Sequence, residues 1–270
     1  MVQKVFFALE GSGTDKKIDW PYVLISAATL WNGRKFKPFN PHPNVKEIFL
    51  DSGGFSFLLR SGDYEFYPAQ YIRLAKRIKA NYVAVMDYPC EQGANNYERI
   101  ERTIENAIKL MDLAGDLNWV MVIQGYTPEE YLYSVDRIKE QGLLTPIMAI
   151  GSLVVRKKIE DVRKIISLVR ENLPRRIKLH GFGVDLRFIR DLVIFKALYS
   201  TDTAAWKWNN TSHWEPNWRP RGYMPKTEFD KLKNFEKYRE KVLKTLEHMR
   251  AQTYWDEHWF ELIPELGEGW

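Results

Sequence analysis

Eight short apolar runs, separated for the most part by amphipathic stretches, constrain this chain more than any other feature. They fall at residues 5–9, 22–26, 47–51, 82–87, 119–124, 147–151, 178–183 and 197–202, and are rich in β-branched or aromatic residues. Near-continuous apolar character in so short a run suits a strand covered on both faces, as in a parallel sheet. Between them, residues 68–78 put Tyr71, Leu74, Ala75 and Ile78 on one helical stripe, and residues 96–113 repeat Ile100, Ile104, Ile108 and Met111. Residues 127–138 open with Thr127 and Pro128, an N-cap followed by proline at the first helical position. Further helical patterns cover 159–173 and 185–195. This alternation predicts an α/β protein, and eight strands favour a closed (β/α)8 TIM-type barrel over an open sheet.

The barrel is expected to be irregular at its N-terminus, because only residues 10–21 separate the first two runs and a full helix fits poorly there. From residue 227 the pattern becomes a long charged helix through about 252, followed by an aromatic, acidic tail. The expected organisation is a barrel over 1–225 and a C-terminal helical extension over 226–270, packed on the barrel. In that helix Lys and Arg alternate with Glu, the pattern of a solvent-facing surface.

With 45% apolar and 28% charged residues, neither a disordered nor a membrane class is favoured. No stretch reaches the roughly 18 to 20 apolar residues that span a bilayer, so the expectation is a cytoplasmic protein without a membrane partner, a location that also suits a virus-encoded chain. The single Cys90 excludes an internal disulfide and any Cys-rich zinc site within the chain. A net charge of +5 permits a polyanionic partner without requiring one.

Chemistry in a parallel barrel sits at the carboxyl ends of the strands. Here those ends are polar: Asp51-Ser52-Gly53-Gly54, Asp87-Tyr88-Pro89, Gln124-Gly125, Gly151-Ser152, Gly181-Phe182-Gly183 and Ser200-Thr201-Asp202-Thr203. Taken singly, an aspartate at such a place is more often a helix cap or turn residue, and a lone Gly-x-Gly marks tight packing. Jointly, they would converge on one mouth. Paired carboxylates there suit retaining glycosyl transfer, one attacking the anomeric carbon while the other moves a proton. A further aspartate with a glutamine supplies the acceptors and donors that read a purine edge, and glycines let a flat ligand approach the backbone.

The ordered motifs LDSGGF (50–55), MDYP (86–89), VIQG (122–125), AIGSL (149–153), HGFGV (180–184) and STDTAAW (200–206) resemble the tRNA-guanine transglycosylase superfamily. Its members exchange a guanine base for a 7-deazaguanine on a (β/α)8 barrel. The resemblance implies Asp202 as the nucleophile on C1′ and Asp51 as general acid/base. It implies Asp87 as acceptor for the N1 and 2-amino edge, Gln124 and the Gly151 N–H as partners of the 6-oxo group, and Ser52 and Ser152 as second contacts. Tyr88 or Phe55 is a candidate to stack on the base.

The zinc motif that follows the nucleophile in tRNA-acting relatives is missing after Asp202, and His213 stands alone, so neither a metal nor another cofactor is expected. The compact form resembles the DNA-modifying, DpdA-type branch, which implies DNA as partner and a free 7-deazaguanine base such as 7-cyano-7-deazaguanine (preQ0) as co-substrate. An accessory DNA-handling protein would be compatible with this. Trp206, Lys207, Trp208, Arg219 and Arg221, with Trp214 and Trp218, interleave rings and cations beyond the nucleophile and suit base stacking and phosphate contact. The opposing reading is that the tryptophans pack under the C-terminal helix. Arg34, Lys35 and Lys37 would add a second basic edge, though such a run is usually a solvated loop. Other functional readings are exchange in tRNA, a non-catalytic nucleic-acid-binding barrel subunit, and a sugar-cleaving glycosidase.

Overall fold

The computed structural model describes residues 1–207 and 227–262. Eight parallel strands close into a barrel in chain order: β1 (Lys4–Ala8), β2 (Tyr22–Ser26), β3 (Glu47–Asp51), β4 (Tyr82–Ala84), β5 (Trp119–Ile123), β6 (Ile147–Ile150), β7 (Lys178–Gly181) and β8 (Ser200–Thr203). The α-helices are α1 (Ala27–Leu30), α2 (Gly54–Ser61), α3 (Pro68–Ile78), α4 (Asn96–Leu113), α5 (Pro128–Glu140), α6 (Ile159–Glu171), α7 (Leu186–Ile189), α8 (Leu192–Ala197) and α9 (Glu228–Leu262). None of the helices among the described residues is long and apolar enough to cross a membrane. β1 closes on β8 with Phe6 paired to Asp202, and β2 pairs with β3 to bring Ser26 level with Asp51.

Side chains alternate across a strand, so every second residue enters the barrel. At the closed end Lys4 meets the Glu47 carboxylate at 2.5 Å. One step up, Phe6, Phe49 and His180 touch ring to ring. A further step on β3 and β8 reaches Asp51 and Asp202. The register that buries Phe49 therefore also turns Asp51 inward.

The irregular start has a simple form. Only a 3-10 turn at Gly13–Lys17 links β1 to β2. The outer face there is covered by Trp20, stacked on Phe7 at 4.8 Å, and by α9, whose Phe235 ring lies 5.6 Å from Phe7. α9 also reaches β8, where Tyr238 and Thr203 hydroxyls are 3.0 Å apart. Its buried Phe235, Val242, Leu246 and Met249 form one stripe, so α9 takes the seat of the helix that follows the last strand of a (β/α)8 barrel.

Several boundaries differ from the sequence expectation. β8 starts at Ser200 because α8 runs through Ala197, and residues 185–195 hold two short helices rather than one. Asp191 breaks them by accepting from the Val193 and Ile194 N–H groups as a fresh N-cap. α2 had no counterpart in the expectation, and α9 runs ten residues beyond position 252. Thr127 caps α5 as anticipated, with Glu130 returning the bond to the Thr127 N–H at 3.0 Å.

Candidate active site

Strand ends β3, β4, β5 and β6 border a cavity of about 110 Å3 at the carboxyl mouth. Asp51, Asp87, Gln124, Gly151, Ser152 and Phe182 line it, together with the start of α2. Ser52 is fully buried beside this lining. Asp202 stands at the margin, where the N–H of Gly183, next to Phe182, donates to its Oδ1 at 2.8 Å. The cavity thus brings together Asp51, Asp87, Gln124, Gly151 and Ser152, which the sequence placed at separate strand ends.

A continuous hydrogen-bonded chain forms the floor. Ser52 Oγ donates to Asp87 Oδ1 at 2.6 Å, and Gln124 Nε2 donates to Asp87 Oδ2 at 2.5 Å. Ser152 Oγ donates to Gln124 Oε1 at 2.6 Å and accepts from the Cys90 N–H at 2.9 Å. Tyr64 closes the other end, its hydroxyl 2.7 Å from Ser52 Oγ and 2.8 Å from the Asp87 carbonyl oxygen. Each carboxylate oxygen of Asp87 keeps acceptor capacity beyond the bond it already takes. Two fixed acceptors side by side fit a ligand edge with two adjacent N–H donors.

Burial pushes the Asp51 carboxyl up to about 7, with the charges of Asp87 and then Asp202 adding to the effect. Asp51 keeps partial access to the cavity while protein surrounds its carboxyl group. Burial also raises Asp87, against the pull of the Ser52 and Gln124 donors. A carboxyl group held near neutrality in a cleft, as Asp51 is, is suited to proton transfer.

The glycines follow the protein's own packing. Gly53 has φ +82°, and a Cβ there would lie 2.6 Å from the Ala28 Cβ. A Cβ on Gly54 would lie 2.2 Å from the Asp87 carbonyl oxygen. Close approach of α2 to the backbone of Asp87, beyond the end of β4, therefore requires glycine, and room for a ligand is a consequence. The Gly151 N–H corrects a second expectation: it donates to Ile123 O at 2.9 Å and is spent on the strand ladder, unavailable to a 6-oxo group. The missing side chain of Gly151 instead admits the Gln124 amide, which a Cβ would meet at 2.4 Å. Ser152 adopts φ +57°, a strained position for a residue with a Cβ, and this turns its hydroxyl between Gln124 and Cys90.

The nucleic-acid candidates divide. Trp206 is buried, with its indole N–H donating to Ala8 O at 3.1 Å and its ring against Phe235 at 6.0 Å. It packs α9 onto the barrel and presents no face for base stacking. Lys207 donates to Leu9 O at 3.1 Å, and burial lowers its pKa. It therefore points inward rather than to a phosphate. Trp208, His213, Trp214, Trp218, Arg219 and Arg221 lie outside the described residues. Tyr88 is likewise turned away from the cavity, its hydroxyl 2.6 Å from Asp63 and its ring under the Arg102 guanidinium at 3.9 Å. Phe55 does line the cavity.

Sequence reasoning missed Phe182, Tyr64 and the buried His180. The alternation that turns His180 inward turns Phe182 inward as well, a signal contained in HGFGV. Among the described residues no group of three or more His, Cys, Asp or Glu is arranged to hold a metal ion.

A search of curated proteins finds no match. A family model described as DpdA, DeoxyPurine in DNA protein A, matches residues 34–262. That span carries β3 to α9 and with them every residue named around the cavity, so the chain belongs to the DpdA family.

Proposed function

We propose that the protein exchanges guanine in DNA for a 7-deazaguanine base, preQ0 or a relative, through a covalent intermediate on Asp202. The observation that carries the reading is a base-sized cavity with an Asp87–Gln124 floor and, on its rim, an Asp51 of pKa about 7 that feels the charge of Asp202. Family membership supports DNA as the polymer.

In the first half-reaction Asp202 Oδ2 attacks C1′ as the C1′–N9 bond breaks. Protonated Asp51 gives its proton to the departing guanine, which leaves as a neutral base. In the second half, ionised Asp51 takes the N9 proton of the incoming base. That nitrogen then displaces Asp202 from C1′, and both carboxyl groups return to their starting states. This is retaining double displacement with the roles split between two carboxylates. Asp87 accepts from the N1 and 2-amino groups while the Gln124 amide fixes the Asp87 carboxylate. Reaching C1′ requires the nucleotide to leave the base stack, at a cost of about a few kcal/mol in a duplex. A separate DNA-opening protein would reduce that cost.

Incubation with labelled guanine and, separately, with DNA and tRNA tests the reading. Label is expected in DNA, and wild-type protein trapped with substrate is expected to carry a covalent DNA adduct. Asp202→Asn is expected to abolish both while DNA binding survives. Full turnover by that variant would remove Asp202 from the mechanism, and label in tRNA alone would replace the polymer.

A further inference from the structure

Beneath Asp202 the barrel interior holds a polar pair caged by aromatic rings. His180 is fully buried, with the rings of Phe49, Phe182 and Phe6 at 4.6, 4.8 and 5.9 Å. Its Nδ1 lies 2.9 Å from Oγ of buried Ser200. Its Nε2 makes no hydrogen bond among the described residues and lies 3.4 Å from Asp202 Oδ1.

A neutral imidazole carries one N–H. With the proton on Nδ1, the Nε2 lone pair would face a carboxylate oxygen inside an apolar cage, a repulsive and unsolvated arrangement. With Ser200 O–H donating to Nδ1, the proton sits on Nε2 and points toward Asp202. The distance is long for a hydrogen bond, and such contacts tighten when a reaction complex forms.

We propose that His180 and Ser200 are positioning residues for the nucleophile: Ser200 fixes the His180 tautomer, and His180 Nε2–H and Gly183 N–H together hold Asp202 Oδ1 so that Oδ2 faces C1′. The inference rests on the role proposed above for Asp202. In the glycosyl ester Oδ1 becomes the carbonyl oxygen and still accepts. When the incoming base displaces Asp202, negative charge returns to the carboxylate and both donors stabilise it. Release of the nucleophile therefore gains more from His180 than its attack does.

Single-turnover exchange on DNA with His180→Phe, His180→Gln and Ser200→Ala tests this, the glutamine restoring an N–H donor near the Nε2 position. His180→Phe is expected to lower the rate about 10- to 100-fold, with DNA affinity and the KM for free base unchanged. His180→Gln is expected to recover part of the loss. Ser200→Ala, which removes one hydroxyl, serves if the ring substitution prevents folding, and is expected to slow exchange as well. Wild-type rates in both His180→Phe and Ser200→Ala, beside an inactive Asp202→Asn, would overturn the positioning role and leave the transglycosylase reading standing. Long-range proton–nitrogen NMR of histidine-labelled protein gives a readout independent of activity. An Nε2–H tautomer at His180 is expected, and an Nδ1–H tautomer would refute the inference even if no exchange is detected.

Discussion

Asp51 sits at about 7 in the folded protein against an ordinary 3.8, because burial and then the neighbouring charges disfavour its carboxylate. Since the folded value lies above the unfolded one, the native state binds the extra proton between those limits. Stability contributed by the protonated form is present below pH 4 and is lost as pH rises to about 7. The shift corresponds to up to about 4 kcal/mol of strain carried at pH 8. Asp51→Asn is therefore expected to abolish exchange and yet raise the melting temperature at pH 8, with a much smaller gain at pH 4. Thermal melts at the two pH values check the sign, and an equal effect at both would show that the charge is not the cause. That Asp51, Asp87 and Asp202 come to one end of the barrel was legible from their places at strand ends. How far Asp51 would be perturbed was not, because its shift comes from burial in the folded barrel and then from the charges of Asp87 and Asp202, which are distant in sequence.

Period-2 and period-3.6 patterns made most elements readable: α3 and α4 span the ranges 68–78 and 96–113 expected from the stripes of Tyr71 to Ile78 and Ile100 to Met111. α2 escaped because it is only eight residues long and opens on a glycine, so Phe55, Phe57, Leu58 and Leu59 are too few to show a helical period. Its position is imposed from outside, by contact of Gly54 with the Asp87 backbone. Gly54→Ala would push a Cβ to within 2.2 Å of that carbonyl unless α2 moves. We expect a loss of about 1 to 3 kcal/mol together with weakened binding of free base, since Asp87 is displaced with its backbone. Urea unfolding and base titration on the same variant measure the two effects, and loss of stability with unchanged base binding would uncouple α2 from the site.

At the scale of the whole molecule, α9 is a structural part of the barrel wall. Trp206 illustrates why this was hard to read: flanked by Lys207 and Trp208 it has the composition of a nucleic-acid contact, and its burial depends on Ala8 and Phe235, both far away in the chain. Phe235→Ala would empty a fully buried site shared by β1, Trp206 and α9, with an expected cost of about 3 to 5 kcal/mol in urea unfolding. A cost typical of a surface substitution would mean that α9 is dispensable for the barrel.

The Lys4–Glu47 pair and the aromatic layer above it make the barrel a cul-de-sac. On the proposed reading a single base occupies the cavity at a time, and the way in is also the way out, so guanine would depart before its replacement docks. Initial-velocity plots at several base concentrations should give parallel lines, with free guanine competing against the incoming base; intersecting lines would mean that two bases share the pocket.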